Sequence, residues 1–295
     1  MAHNHAHADT KHMSEKNIKI AFFLNLCFTV FEVIGGFFTN SLAILSDALH
    51  DLGDSFSLGL AWYFSRIAEK KPSPEFSYGF KRFTLLAALI NGLILLSGSF
   101  YVLSRAVPRI LNPEHSNAKG MFFFALAGIV VNGLAVWRLK NGKTMNERMV
   151  TWHLLEDVLG WVAILIVSIV MLFKDIHILD PILSILITLY ILWNVIKNLK
   201  KTLMLFLQGV PESVRIEEVE QKMMDIDAIK DVHDTHLWSL DGEHHILTTH
   251  IMLDNKASRQ EIFEIKCKAR KILDKLGVQH ATIETEYESE NCSLK

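Results

Sequence analysis

The feature that most restricts this chain is a series of predominantly apolar stretches at 18–38, 42–64, 83–107, 121–139, 152–173 and 178–199. A stretch of about 20 apolar residues is long enough to cross a bilayer as a helix. Inside hydrocarbon no water satisfies backbone amides, so a helix that closes its own hydrogen bonds is the expected form. The stretches are separated by Thr39-Asn40, Lys70-Lys71-Pro72-Ser73-Pro74, Asn112-Pro113, Asn141-Gly142 and Asp180-Pro181. The shortest links require their flanking helices to be antiparallel neighbours. A mean hydropathy of +0.25 is high for a water-soluble chain and fits this reading.

Basic residues set the expected orientation. Lys11, Lys16, Lys19, Arg66, Lys70, Lys71, Lys81, Arg82, Arg138, Lys140, Lys143, Arg148, Lys197, Lys200 and Lys201 fall on one side, against Arg105, Arg109, Lys119 and Lys174 on the other. Both termini are therefore expected in the cytoplasm, with the chain in a bacterial inner membrane. The first apolar stretch is followed directly by others and by no small-residue cleavage site, so it is read as a span and not a signal peptide. A net charge of -2 gives no reason to invoke nucleic acid, and Cys27, Cys267 and Cys292 show no pairing pattern.

From Gln208 the chain turns polar. Amphipathic spacing predicts a helix at 212–224, strands at 229–240 and 245–253 joined by Asp241-Gly242, a helix at 259–276 stopped by Gly277, and a strand at 278–287. That order predicts an α+β domain with helices on one face of a sheet. The expected division is a flexible His-rich tail at 1–16, a six-helix membrane bundle at 17–207, a soluble domain at 208–287 and a short tail at 288–295.

Two of the membrane stretches carry groups that do not belong in hydrocarbon. The second contains Asp47, His50, Asp51 and Asp54; the fifth contains His153, Glu156 and Asp157. A charge at mid-bilayer costs about 2.5–3.5 kcal/mol on the gentlest insertion scale, so these groups must meet each other, water or an ion. His50 and Asp54 are four apart, as are His153 and Asp157, which puts each pair on one helix face. A single such pair is explained by a hydrogen bond; two pairs on separate spans without a compensating Lys or Arg point to a metal. Two imidazoles and two carboxylates make a tetrahedral-capable set suited to zinc. Metal binding requires neutral His and ionised carboxylate, so protons compete with it. Asp47, Asp51 and Glu156 point to other faces and are assigned first to helix packing, with a role beside the metal path as the alternative. Glu32 is read as a packing or pathway residue.

The chain resembles the cation diffusion facilitator family, in its zinc-transporting branch. The resemblance rests on Ser41-Leu42-Ala43-Ile44-Leu45-Ser46-Asp47-Ala48 leading into His50 and Asp54 and on Tyr78-Gly79 with Lys81-Arg82 and Leu86-Ala87-Ala88-Leu89. It also rests on His153 with Asp157, and on Val232-His233-Asp234-Thr235-His236-Leu237-Trp238-Ser239. It implies a homodimer that exports zinc, with cadmium as a second substrate, by alternating access and exchange with protons. It implies His50, Asp54, His153 and Asp157 as the transport site and a cytoplasmic ferredoxin-like domain that binds regulatory zinc and supports dimerisation. In that domain His233, His250 and Glu286 match ligand positions; His236, Glu284, His244 and His245 are further candidates. The stretch from Ser73 to Phe80 lacks the histidines that form an additional site in some members, so none is expected there. His3, His5, His7 and His12 are read either as a weak zinc-collecting tract or as a plain tail. The rivals are a manganese, iron or cobalt exporter of the same family, a membrane metal sensor without transport, and an intramembrane metalloenzyme. The last is disfavoured because no HExxH occurs.

Overall fold

The computed structural model describes Phe23, residues 25–139 and residues 145–290. The His-rich tract, the start of the first apolar stretch, Lys11, Lys16, Lys19, Lys140, Lys143 and the end at 291–295 lie outside the described residues. The helices are α1 (Asn25–Thr39), α2 (Leu42–Ala68), α3 (Phe83–Leu111), α4 (Ala118–Leu139), α5 (Met145–Phe173), α6 (Leu179–Phe206), α7 (Ile216–Met224) and α8 (Arg259–Lys275). The strands are β1 (Ile229–Ser239), β2 (His245–Leu253) and β3 (Val278–Tyr287). Among the described residues four helices, α3 to α6, are long and apolar enough to cross a membrane. α2 is equally long but carries Asp47, Asp51 and Asp54 along its length, and α1 is described over a shorter apolar stretch.

The chain divides into two compact units, one taking the chain to Tyr63 and Ile90–Asn198, the other Phe64–Leu89 and the chain from Leu199. In the first, Ala43, Ile44, Met121, Ala125, Trp161, Ile164 and Met171 form the core, with Phe28 and Phe124 packed on it. The approach of α4 to α5 depends on Gly128, because a methyl group there would overlap the indole of the fully buried Trp161. Small residues serve the same end between α2 and α3, where Gly53 faces Leu95 and Gly98 faces Leu49. Close backbone approach of this kind replaces hydrophobic driving force between helices in lipid.

One carboxylate fastens the start of α2. Asp180, in the first turn of α6 and fully buried, accepts from Ser41 Oγ at 2.5 Å, Leu42 N at 2.9 Å, Ala43 N at 3.2 Å and Ser116 Oγ at 3.3 Å. It acts as an N-cap supplied by another helix, satisfying amides that α2 cannot satisfy itself. Ser184 Oγ donates to Leu42 O at 3.1 Å, and Ser46 and Thr188 share a hydrogen bond of 2.7 Å. The α1–α2 turn is made by Asn40 at φ 52, a conformation Asn tolerates, and Arg109 holds it through Asn40 O at 3.0 Å and Oδ1 at 2.7 Å.

In the second unit the sheet has the order β1-β2-β3, with β1 antiparallel and β3 parallel to β2. Val219, Met223, Leu237, Leu247, Ile251, Leu253, Ile265, Ala269 and Leu273 form its core. α8 opens with a capping box between Ser258 and Glu261, and this hydrogen bonding holds the Glu261 carboxyl below its usual range. α7 begins at Ile216 and not at the expected 212, because Arg215 has extended backbone (φ -101, ψ 134) and cannot continue a helix toward Pro211. A β-bulge between His233 and His236, with Asp234 at φ 47, shifts the alternation of β1. His233 thus pairs with His250, while Leu237, four residues on, pairs with core residue Leu247.

Asp180→Ala strands Leu42 N, Ala43 N and the Ser41 hydroxyl in a buried place, and each unsatisfied group costs about 1–3 kcal/mol. A clear drop in the thermal unfolding midpoint in detergent is expected; an unchanged midpoint would show that α2 is not held there. In the second unit, burial pushes the His245 imidazole below its usual pKa, opposed by Asp241 and aided by His244, and the ring shares a hydrogen bond with Ser213 Oγ at 2.9 Å. The folded value lies below the unfolded one, so the stability from neutral His245 is full above pH roughly 6.5 and is lost as pH falls through the folded value. An NMR titration is expected to place the His245 midpoint below roughly 6.5; a higher midpoint contradicts the burial.

Candidate metal centre

His50 and Asp54 occupy successive turns of α2; His153 and Asp157 do the same on α5. The structure brings the two helices together at these residues. Asp54 Oδ2 lies 3.1 Å from His153 Nε2 and 3.7 Å from His50 Nε2, and Asp157 Oδ2 lies 3.9 Å from His153 Nε2. The two imidazole rings meet edge to face with centroids 5.9 Å apart. One ligand atom from each of His50, Asp54 and His153 lies within 4.8 Å of the others; Asp157 stands beside them, buried, one turn further along α5. His50 Nδ1 is buried with no hydrogen-bond partner among the described residues. Buried polar atoms are rarely left so, and a bound cation satisfies a cluster of nitrogen and carboxylate donors of this composition.

Around this set lie further buried acids. Asp47, Asp51 and Glu32 are nearly inaccessible, and both Glu32 oxygens and Asp47 Oδ2 lack a hydrogen-bond partner among the described residues. Gly160 on α5 leaves room for Asp47, since a methyl group there would lie 3.3 Å from Asp47 Oδ1. Asn25 Nδ2 donates to Asp51 O at 3.0 Å and to Ser55 Oγ at 3.1 Å, tying α1 to this part of α2. Glu156 is different: it is exposed, and the Tyr190 hydroxyl donates to its Oε1 at 3.4 Å.

The sheet of the second unit gathers a separate cluster. His233 and His250 are cross-strand partners, and Glu284 and Glu286 stand on the adjacent β3. Glu286 bridges the histidines, with Oε1 2.5 Å from His250 Nδ1 and Oε2 3.3 Å from His233 Nε2. The three offer ligand atoms within 4.8 Å of one another. Glu284 Oε2 reaches His250 Nε2 at 3.5 Å. His236 is largely exposed and pairs with Asp234 Oδ1 at 3.0 Å, outside that trio. His244 is held by Asp241 at 2.8 Å, and His245 by Ser213.

Sequence reasoning missed two neighbours. Asp231 Oδ2 lies 3.1 Å from His233 Nδ1, and Asp234 Oδ2 3.6 Å from His250 Nε2. The Asp-x-His-Asp run in β1 was their visible signal, but strict alternation places Asp234 on the opposite face from His233, and only the bulge brings it round.

Comparison with known proteins gives the family of the chain. The family described as "Cation efflux transmembrane domain" matches residues 18–207, and "Cation efflux protein, cytoplasmic domain" matches residues 211–288. The chain is 33% identical over 295 residues to a "Cadmium, cobalt and zinc/H(+)-K(+) antiporter" of Bacillus subtilis, covering 99% of this chain and 94% of the relative. It is 32% identical over 300 residues to "Zinc transporter ZitB" of Escherichia coli, covering 98% and 93%. It is also 32% identical over 287 residues to "Metal cation efflux system protein CzcD" of Cupriavidus metallidurans, covering 96% and 89%. With both of its parts matched and relatives aligned along nearly the whole length, the chain is a multi-pass membrane transporter of the cation diffusion facilitator family.

Proposed function

We propose that this transporter exports zinc from the cytoplasm in exchange for protons, with cadmium as a second substrate, and that His50, Asp54, His153 and Asp157 hold the metal in transit. The observation that carries the reading is the convergence of two histidines and a carboxylate from α2 and α5 on one point, with Asp157 beside it. Imidazole with carboxylate suits zinc better than magnesium or calcium. The relatives named for zinc, cadmium and cobalt support the same class of cargo.

Zinc arriving from the cytoplasm displaces protons from the imidazoles, and the carboxylates supply charge that offsets the ion in a low-dielectric setting. Rocking of the bundle then exposes the site to the other side, where incoming protons release the metal. Asp54 has the central part, since its Oδ2 faces both histidines. Proton competition at the ligands provides the coupling, and no covalent bond is made or broken.

The rest of the proposed organisation is a bundle of six spans, with α1 and α2 joining α3 to α6. Both termini are cytoplasmic, the membrane is a bacterial inner membrane, and two copies form a homodimer. The membrane domain is proposed at 17–207, between an N-terminal tail at 1–16 and the soluble domain at 208–287, with a short tail at 288–295. The α-β-β-α-β order of the soluble domain is in keeping with a ferredoxin-like fold. In it His233, His250 and Glu286 are proposed to bind regulatory zinc, with Glu284 and His236 as neighbouring donors. The match to a family cytoplasmic domain supports the placement of the tail.

Zinc flux into proteoliposomes under an imposed pH gradient tests the reading. Changing groups that merely support a metal ligand lowers affinity or activity by about 10–100-fold, so Asp54→Ala and Asp157→Ala are each expected to lower flux at limiting zinc at least as far. Undiminished flux in both variants would refute the site. Zinc binding by the wild type without any flux would move the assignment to a metal sensor.

A further inference from the structure

A third group of donors shares no residue with either cluster. His115 belongs to the α3–α4 link, and Asp175 and His177 to the α5–α6 link. These residues offer ligand atoms within 4.8 Å of one another. His177 Nε2 is 2.6 Å from Asp175 Oδ1, and the rings of His115 and His177 are only 4.1 Å apart between centroids. An ion pair accounts for Asp175 with His177. It does not account for a second imidazole brought against the first, since two protonated rings would repel each other.

The position of both histidines is built and not incidental. Ser116, next to His115, donates to Asp180 Oδ2 at 3.3 Å, and Asp180 follows His177 by three residues. His115 O accepts from Asn40 Nδ2 at 3.2 Å, and Ser116 Oγ also donates to Asn40 O at 3.1 Å. The carboxylate that fastens α2 therefore also draws the two links together. His177 is mostly buried, its side chain 15% exposed, and its Nδ1 has no hydrogen-bond partner among the described residues; the Asp175 side chain is 88% exposed. Two imidazoles and a carboxylate with one side open to solvent match the three-ligand pattern in which water fills the fourth position of zinc.

We propose that His115, Asp175 and His177 form a further binding site for zinc or a comparable transition metal, at the end of α5 remote from His153. The stretch of helix from Asp157 to Phe173, at about 1.5 Å per residue, puts it on the order of 20 Å from the candidate transport site, too far to share an ion. An open three-ligand site exchanges metal readily, and on the proposed transport reading it stands where exported metal leaves. Binding itself does not depend on that reading.

The test is zinc protection of histidines from diethylpyrocarbonate, read residue by residue by mass spectrometry on the full-length protein in detergent. Zinc is expected to slow modification of both His115 and His177, in the wild type and equally in Asp54→Ala, while magnesium at the same concentration does not. Protection of neither, of one alone, or equally by magnesium overturns the site. Equilibrium zinc counting supplies the second readout: Asp175→Asn and the double variant H115A/H177A are expected to lose one bound zinc per chain, and an unchanged count overturns it. Flux failing in Asp54→Ala while protection persists separates this site from the transport centre.

Discussion

The encounter of α2 with α5 at Asp54 and His153 is the contact on which the rest depends. Buried carboxylates and imidazoles are too costly to leave without partners, so the two helices that carry them must be held face to face. Much of the first unit can be understood as meeting that condition. Gly160 makes room for Asp47 on α2, Gly128 lets α4 settle against Trp161 of α5, and Gly53 and Gly98 let α2 and α3 interlock. Packing by small residues supplies rigidity where hydrophobic burial supplies little.

Asp180 secures the same geometry from the other end. It caps α2 from α6 and holds Ser116 of the α3–α4 link. Its hydrogen bonds fix where α2 begins, and hence where His50 and Asp54 fall along the bundle. The tail uses a different device for a comparable purpose. There the bulge at Asp234 lets a single strand feed a hydrophobic core with Leu237 and a polar cluster with His233.

Much of this was legible in the sequence because its physics is local. Apolar length gave α3 to α6, and a separation of four gave the helix faces bearing His50 with Asp54 and His153 with Asp157. Alternation and the Asp241-Gly242 turn gave the β1–β2 hairpin. What escaped depends on contacts between distant segments. Asp180 reads as a helix-breaking Asp-Pro pair, and nothing local reveals that it caps α2. Asp234 is misassigned by simple alternation because a bulge cannot be read from one strand alone. His115 and His177 look like unrelated loop histidines until two links are drawn together. The start of α7 was set too early because the acidic amphipathic pattern runs on through residues whose backbone is extended.

The transport cycle turns on where the metal sits. Anomalous diffraction at the zinc edge, from crystals of the full-length protein grown with zinc, tests it most directly. A peak between α2 and α5, about 2.0–2.2 Å from His50, Asp54, His153 and Asp157, is the expected result. Zinc bound to the protein with no peak between those helices would contradict it.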